Sequence, residues 1–287
     1  MRDTVVGVLM LLTLAGGLGA EPAPRPAPGP GPRYLWLGQY DPAQSVRARI
    51  APPAGYERPA AKAGSFAQWL GHLPLKPGRP AVLLFDGTQK ANQEMHVAVV
   101  DMDVGARDLQ QCADSVIRLR AEYLLSVGNS AGIHFTFTSG DVADWTKWAA
   151  GQRVVVKGSK VTWTRTAGAD ASYASFRRYL DVVFTYAGTR SLSGELKAAG
   201  PTDAIEAGDV FVQAGSPGHA LIVVDVAVRP GSGKRVFLLA QGYMPAQEMH
   251  ILRNPADPGS GAWYDADFGA ELKTPEWTFR REDRKRF

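Results

Sequence analysis

The sequence predicts an α+β fold on three observations: amphipathic helices dominate its middle, a run of strands follows them, and no βαβ alternation links the two. Of 287 residues, 45% are hydrophobic and 21% charged, a balance that excludes wholesale disorder and coiled coil. The 31 glycines and 20 prolines follow no Gly-X-Y period, which excludes collagen.

The elements follow in order. Residues 5–15, VVGVLMLLTLA, match a signal-peptide core in length and are too short for a comfortable membrane span. With small residues at Gly17–Ala20, they predict a cleaved signal over 1–20, an exported protein (periplasmic or secreted), and no membrane span after cleavage. Residues 21–33, EPAPRPAPGPGPR, predict an extended Pro/Ala/Gly linker. A single domain is expected over 34–280. Of the net charge of +4, the five basic and two acidic residues of Arg280–Phe287 supply +3, so 281–287 reads as a frayed basic tail and no nucleic-acid groove is expected.

Ser65 caps a short helix ending before Pro74. Val82–Phe85 and Met95–Val104 read as strands. Asp108 caps a helix to about Leu125, with Leu109, Cys112, Ala113, Val116 and Leu119 on its apolar stripe and Asp114, Arg118 and Glu122 as i,i+4 pairs on its wet side. Ile133–Phe137 alternates as a strand, Asp141–Ala149 is a helix bearing Trp145 and Trp148 inward, and Val154–Val156 with Val161–Thr164 form a hairpin. Ser172–Ala187 is a strong amphipathic helix and Ser191–Ala199 a shorter one. Strands are then expected at Asp209–Gln213, His219–Val228, Arg235–Gln241, near Met249–Leu252 and near Trp277–Arg280.

Chemistry concentrates in the late strands. Period-two alternation sets His219, Gln241 and Tyr243 on one sheet face, with Asp225 on that face nearer the turn. A histidine at a strand start behind a Gly-rich loop, with an amide on the next strand, suits a general base and its orienter, because the amide carbonyl fixes the ring tautomer. The alternative is a histidine that tops a strand and an amide that satisfies a loop. The only cysteine, Cys112, is the candidate nucleophile: it lies in the first turns of its helix, where unpaired amides and the macrodipole lower a thiol pKa. Its place on the apolar stripe leaves a buried, inert thiol as the other reading. Tyr243, Trp263 and Tyr264 are the candidate binding aromatics, able to stack on sugar or peptide.

The runs DLQQCADSVIRLRAEYL, FTYAGTRSL, GDVFVQAGSPGHALIVVDVA, LLAQGYMPAQEMHILRNP and TPEWTF resemble the DUF4846 family of exported bacterial proteins. The order helix, Gly-Asp strand, His-led strand and next polar-ended strand is also similar to the NlpC/P60 and related papain-like cell-wall hydrolases. That likeness implies a papain-like core of helices packed on an antiparallel sheet with an N-terminal α/β extension, and a cell-wall glycan or peptide as partner. It departs at one point: the family's nucleophile opens the helix just before the Gly-Asp strand, and here that helix begins Ser172-Tyr173-Ala174-Ser175 without a cysteine. Either Cys112 supplies the thiol from an earlier helix or the nucleophile is lost, with Ser175 a substitute lacking separate support.

No cofactor is expected. Asp101 and Asp103 share a face and could meet a cation or an arginine. His72, His134 and His250 lack ligand spacing, so no metal site is expected. Gly87–Lys90 lacks the context of a phosphate loop, and Asp209 has an ordinary turn role.

Overall fold

The computed structural model describes residues 33–287 except 159, 201 and 258–260. The expected signal segment over 1–20 and all but the last residue of the linker lie outside the described residues. The helices are α1 (Val46–Arg49), α2 (Phe66–Gly71), α3 (Cys112–Ser126), α4 (Trp145–Ala149), α5 (Tyr173–Tyr186) and α6 (Thr189–Glu195). The strands are β1 (His96–Val99), β2 (His134–Thr136), β3 (Val142–Asp144), β4 (Gln152–Lys157), β5 (Lys160–Arg165), β6 (Lys197–Ala198), β7 (Val210–Gln213), β8 (His219–Val228), β9 (Arg235–Gln241), β10 (His250–Leu252), β11 (Tyr264–Asp265), β12 (Glu271–Lys273), β13 (Thr278–Arg280) and β14 (Arg284–Arg286).

The architecture is α+β around one antiparallel sheet ordered β1-β10-β9-β8-β7-β14-β6, with β11 on the far end of β9. One face carries the helices: Ala220, Ile222, Val224, Leu238 and Ala240 pack with Ala113, Val116 and Ile117 of α3 and with Leu70 of α2. The other face, bearing Phe211, Leu221, Val223, Phe237 and Leu239, is covered by Tyr264, Leu272 and Phe279. Both faces of β8 are therefore buried, which is why its ten residues are almost uniformly apolar.

Local caps explain most element starts. Ser65 Oγ accepts from Gln68 N–H and Ser172 Oγ from Ser175 N–H, as Ser N-caps do. Asp144 caps α4 by accepting from Thr146 N–H at 2.7 Å, so that helix starts later than the periodicity predicts and Val142–Asp144 pairs instead with β2. Residues 82–85 make only isolated bridges, Leu83 to Gln89 and Leu84 to Gln247.

Three expectations are corrected. First, residues 284–286 are not a frayed tail: β14 lies between β7 and β6, and Arg284 is 3% exposed. Its guanidinium donates to the carbonyls of Gly200 and Asp203 and meets Asp209, which also binds Arg286. A stretch rich in charge folds into the sheet because buried acceptors await its cations. Second, Asp114 and Arg118 are not on a wet side. Arg118 is wholly buried, bonded to Gln110, Asp103 and Glu122, while Asp114 turns inward elsewhere. Third, Asp225 leaves the face of His219. Val223 pairs with Leu239 but Asp225 with Leu238, so Val224 is a bulge residue. From there the strand's alternation is offset, and Asp225 emerges on the helix face to bind Arg58 at 2.6 Å.

Candidate functional site

β8 begins at His219 directly after the loop Gly215-Ser216-Pro217-Gly218. In-register pairing sets Gln213 opposite His219 and His250 opposite Gln241, so Gln213, His219, Gln241 and His250 form a polar row across β7, β8, β9 and β10, on the face away from α3. The expected pair is present: His219 Nε2 lies 2.8 Å from Gln241 Oε1. Tyr243 joins it, its ring centroid 4.8 Å from the imidazole, and Trp277 covers the ring at 5.2 Å. Gln213 holds that indole by accepting from Trp277 Nε1 at 2.9 Å. His219 is 2% exposed.

The amide of Gln241 is itself held. Its Nε2 donates to Glu276 Oε2 at 2.8 Å and lies 3.4 Å from His250 Nε2. Glu276 Oε1 in turn binds Lys90 Nζ at 2.7 Å, and that ammonium sits 4.7 Å above the Tyr243 ring. Burial pushes the imidazoles of His219 and His250 down to about 4 and about 3, so both rings are neutral at pH 7. His250 Nδ1 faces the Glu248 carbonyl at 2.8 Å and must carry its proton there, since a carbonyl only accepts.

Cys112 is the first residue of α3, and α3 is the helix packed on β8 and β9. Gly242, just past β9, makes that approach possible: a Cβ there would run into Ser115 Oγ and come within 3.0 Å of the Gln111 carbonyl. Cys112 is 8% exposed, and the backbone amide of Ala220, the residue after His219, favours its thiolate. Burial pushes the thiol up, and the backbone amides of Ala220, Ala113 and Cys112 offset this only in part. The helix N-terminus does not win here; desolvation does. No hydrogen bond joins Cys112 to the His219 ring among the described residues.

A cleft of about 380 Å³ opens at this end of α3, lined by Asp108, Gln111, Cys112 and Asp114 on one side, by Phe184, Thr185 and Ala187–Thr189 on another, and by Gly215–Gly218 and Met244. His219 does not line it, but its chain neighbour Gly218 does, as does Met244 beside Tyr243. Asp114 is buried with one oxygen bonded to Gln111 N–H and the other, Oδ1, without a partner; burial pushes its carboxyl up to about 8, which keeps it protonated at pH 7.

The structure thus brings Cys112, His219, Gln241 and Tyr243 to one end of β8 and leaves out the other two aromatics. Trp263 and Tyr264 are each 3% exposed. Their polar tips donate to the carbonyls of Ala51 and Arg253, and Tyr264 pairs in β11 with Phe237. Neither lines the cleft. Ser175 is buried with its hydroxyl accepting from Trp148 Nε1, so it is no substitute nucleophile. Asp103 meets Arg118 and Arg177. Among the described residues no group of three or more His, Cys, Asp or Glu side chains could hold a metal ion, and no helix is long and apolar enough to cross a membrane.

Sequence reasoning missed Lys90, Asp114, His250, Glu276 and Trp277. Glu276 and Trp277 stand in the TPEWTF run, whose length was the available signal. Lys90 had none beyond a rejected phosphate loop. A family model described as a domain of unknown function (4846) matches residues 46–286. No curated protein matches, and no solved structure does.

Proposed function

The chain belongs to the DUF4846 family, whose description assigns no chemistry, and we propose from the site itself that it is a papain-like cysteine hydrolase acting on peptide or peptidoglycan amide bonds outside the cytoplasm. The observation that carries this reading is the His219–Gln241 pair at 2.8 Å, set at the strand end where the Cys112-bearing helix meets β8. With Nε2 donating to the amide carbonyl, Nδ1 keeps the lone pair a base needs. The departure from the NlpC/P60 pattern has a simple resolution in this reading: the thiol comes from α3, the helix that packs on the His-bearing strand, while α5 packs on α3 and α4.

The proposed reaction requires the His219 ring, on the sheet face away from α3, to reach the thiol around the strand end. There Nδ1 takes the thiol proton as Sγ bonds to the amide carbon. The tetrahedral intermediate collapses, the C–N bond breaks, and the amine leaves with the proton from the imidazolium. Water then cleaves the thioester, returning the proton to sulfur and releasing the acid. Both groups start neutral, because burial raises the thiol and lowers the imidazole, so the proton moves during attack rather than resting as an ion pair.

A second reading, a non-catalytic envelope module that binds glycan or peptide on the same scaffold, is favoured by one fact: no hydrogen bond joins sulfur and ring among the described residues. Thiol-reagent labelling of the folded protein across pH 5 to 9 separates the two. The hydrolase reading expects native-state labelling of Cys112 that falls at least about tenfold in His219→Ala, a loss of roughly 1.4 kcal/mol in activation. Labelling only after unfolding would leave the binding module.

A further inference from the structure

The sequence offers a base and an orienter, but an amide orients a ring only if something decides which way the amide points. Gln241 has two chemically opposite ends of nearly equal shape. If it were reversed, its NH₂ would face His219 Nε2 and its carbonyl would face Glu276. His219 would then carry its proton on Nδ1, and that nitrogen would be a donor, not a base.

Two acceptors fix the choice. Glu276 Oε2 stands 2.8 Å from Gln241 Nε2, and a reversed amide would put two oxygens in contact there. His250 Nε2 stands 3.4 Å away and is an acceptor because its other nitrogen spends its proton on the Glu248 carbonyl. Glu276 is held in place by Lys90 Nζ at 2.7 Å, in an ion pair whose side chains are only 14% and 10% exposed. A charged acceptor in a water-poor setting orients an amide more firmly than a neutral one.

We infer that Lys90 and Glu276 are positioning residues that set the tautomer of His219 through Gln241, so that a loop before β1 and the turn between β12 and β13 control the base of the site. This rests on the hydrolase reading for its consequence but not for its measurement. Neither residue touches the cleft. Their effect passes through two hydrogen bonds, one donated by Gln241 Nε2 to Glu276 and one donated by His219 Nε2 to the Gln241 carbonyl.

The test is histidine-selective ¹⁵N NMR of the full chain, with His219 assigned by its loss in His219→Ala. Wild type is expected to hold His219 in the Nε2–H form. Glu276→Gln, which can serve either end of the amide, is expected to raise the Nδ1–H form to roughly a tenth of molecules or more. Lys90→Met is expected to move it the same way by less, and Glu276→Asp to restore the wild-type spectrum. A general loosening of the fold would move all the histidines; the expected change is confined to His219 and His250. A wild-type ring already in the Nδ1–H form, or one unmoved in both Glu276→Gln and Lys90→Met, overturns the inference. Should Glu276→Gln fail to fold, Lys90→Met and the wild-type tautomer decide alone. If the tautomer responds while Cys112 stays inert to thiol reagents, the positioning stands and the hydrolase reading falls. If Cys112 reacts and the tautomer does not respond, the reverse holds.

Discussion

Gly242 shows how a missing side chain can place a thiol. It sits where β9 has ended and the chain passes under the first turn of α3, with Ser115 and the Gln111 carbonyl directly above it. Gly242→Ala must lift that turn, and Cys112 with it, away from the Ala220 amide. The expected cost is about 1–3 kcal/mol of stability, the usual price of overpacking a filled interior, measured by denaturant unfolding. Cys112 labelling of the folded variant should change at the same time, whereas an Ala substitution at the exposed Gly64 loop tip, where nothing lies within 4 Å, should leave labelling as it is even where its positive φ costs stability. Much of this scale was legible in the sequence. His219, Gln241 and Tyr243 share a face because alternation is strict over short distances, and Cys112 opens its helix as its position suggests. Asp114 was misread because i,i+4 spacing with Arg118 says nothing about which side of a helix meets solvent.

At the scale of the element, β14 is the clearest case of structure the sequence conceals. Charged residues at the end of a chain look solvated, yet Arg284 donates to two carbonyls and to Asp209 from a buried position. Arg284→Ala leaves two carbonyls short of a donor while Asp209 keeps Arg286, so a destabilisation of about 1–3 kcal/mol is expected, the cost of leaving buried acceptors unsatisfied. Arg280→Ala, whose side chain is mostly exposed, should cost well under about 1 kcal/mol. Chemical denaturation of both variants provides the comparison. The acceptors that make Arg284 necessary lie some eighty residues earlier, which is why no local pattern reveals it. The long elements were legible for the opposite reason: α5 carries its apolar face at helical spacing and its Ser172 cap in adjacent residues, and β8 and β9 declare themselves by length and apolarity.

For the whole molecule, the distribution of imidazoles sets the response to acid. His96, His219 and His250 are all buried and on the face away from the helices, and burial lowers each of them. The unfolded chain takes up these protons near pH 6.5; the folded chain does so only near 4 for His219 and near 3 for His250. Below about 6.5 the unfolded state therefore binds more protons, and the stability held at neutral pH is lost as pH falls. Asp114, raised to about 8, has the opposite sign: its contribution is full below about 4 and is lost as pH rises through 8. The two are separable by difference. The stability of wild type minus that of His250→Gln should fall by about 1.4 kcal/mol per pH unit between roughly 6 and 4 and be flat above 7. A flat difference throughout would mean that the ring is not the buried neutral group described.

The bulge at Val224 lets one ribbon serve two chambers. Upstream of it β8 offers an imidazole to the aromatic side; downstream it offers a carboxylate to Arg58 on the helical side. Pairing the strand straight through, with Val224 opposite Leu238 and Asp225 opposite Phe237, would swing everything beyond it to the other face. Asp225 would then be driven among Phe237 and its apolar neighbours without a counterion, and Arg58 would face a valine. The extra residue thus works as a partition between the two charges the strand carries.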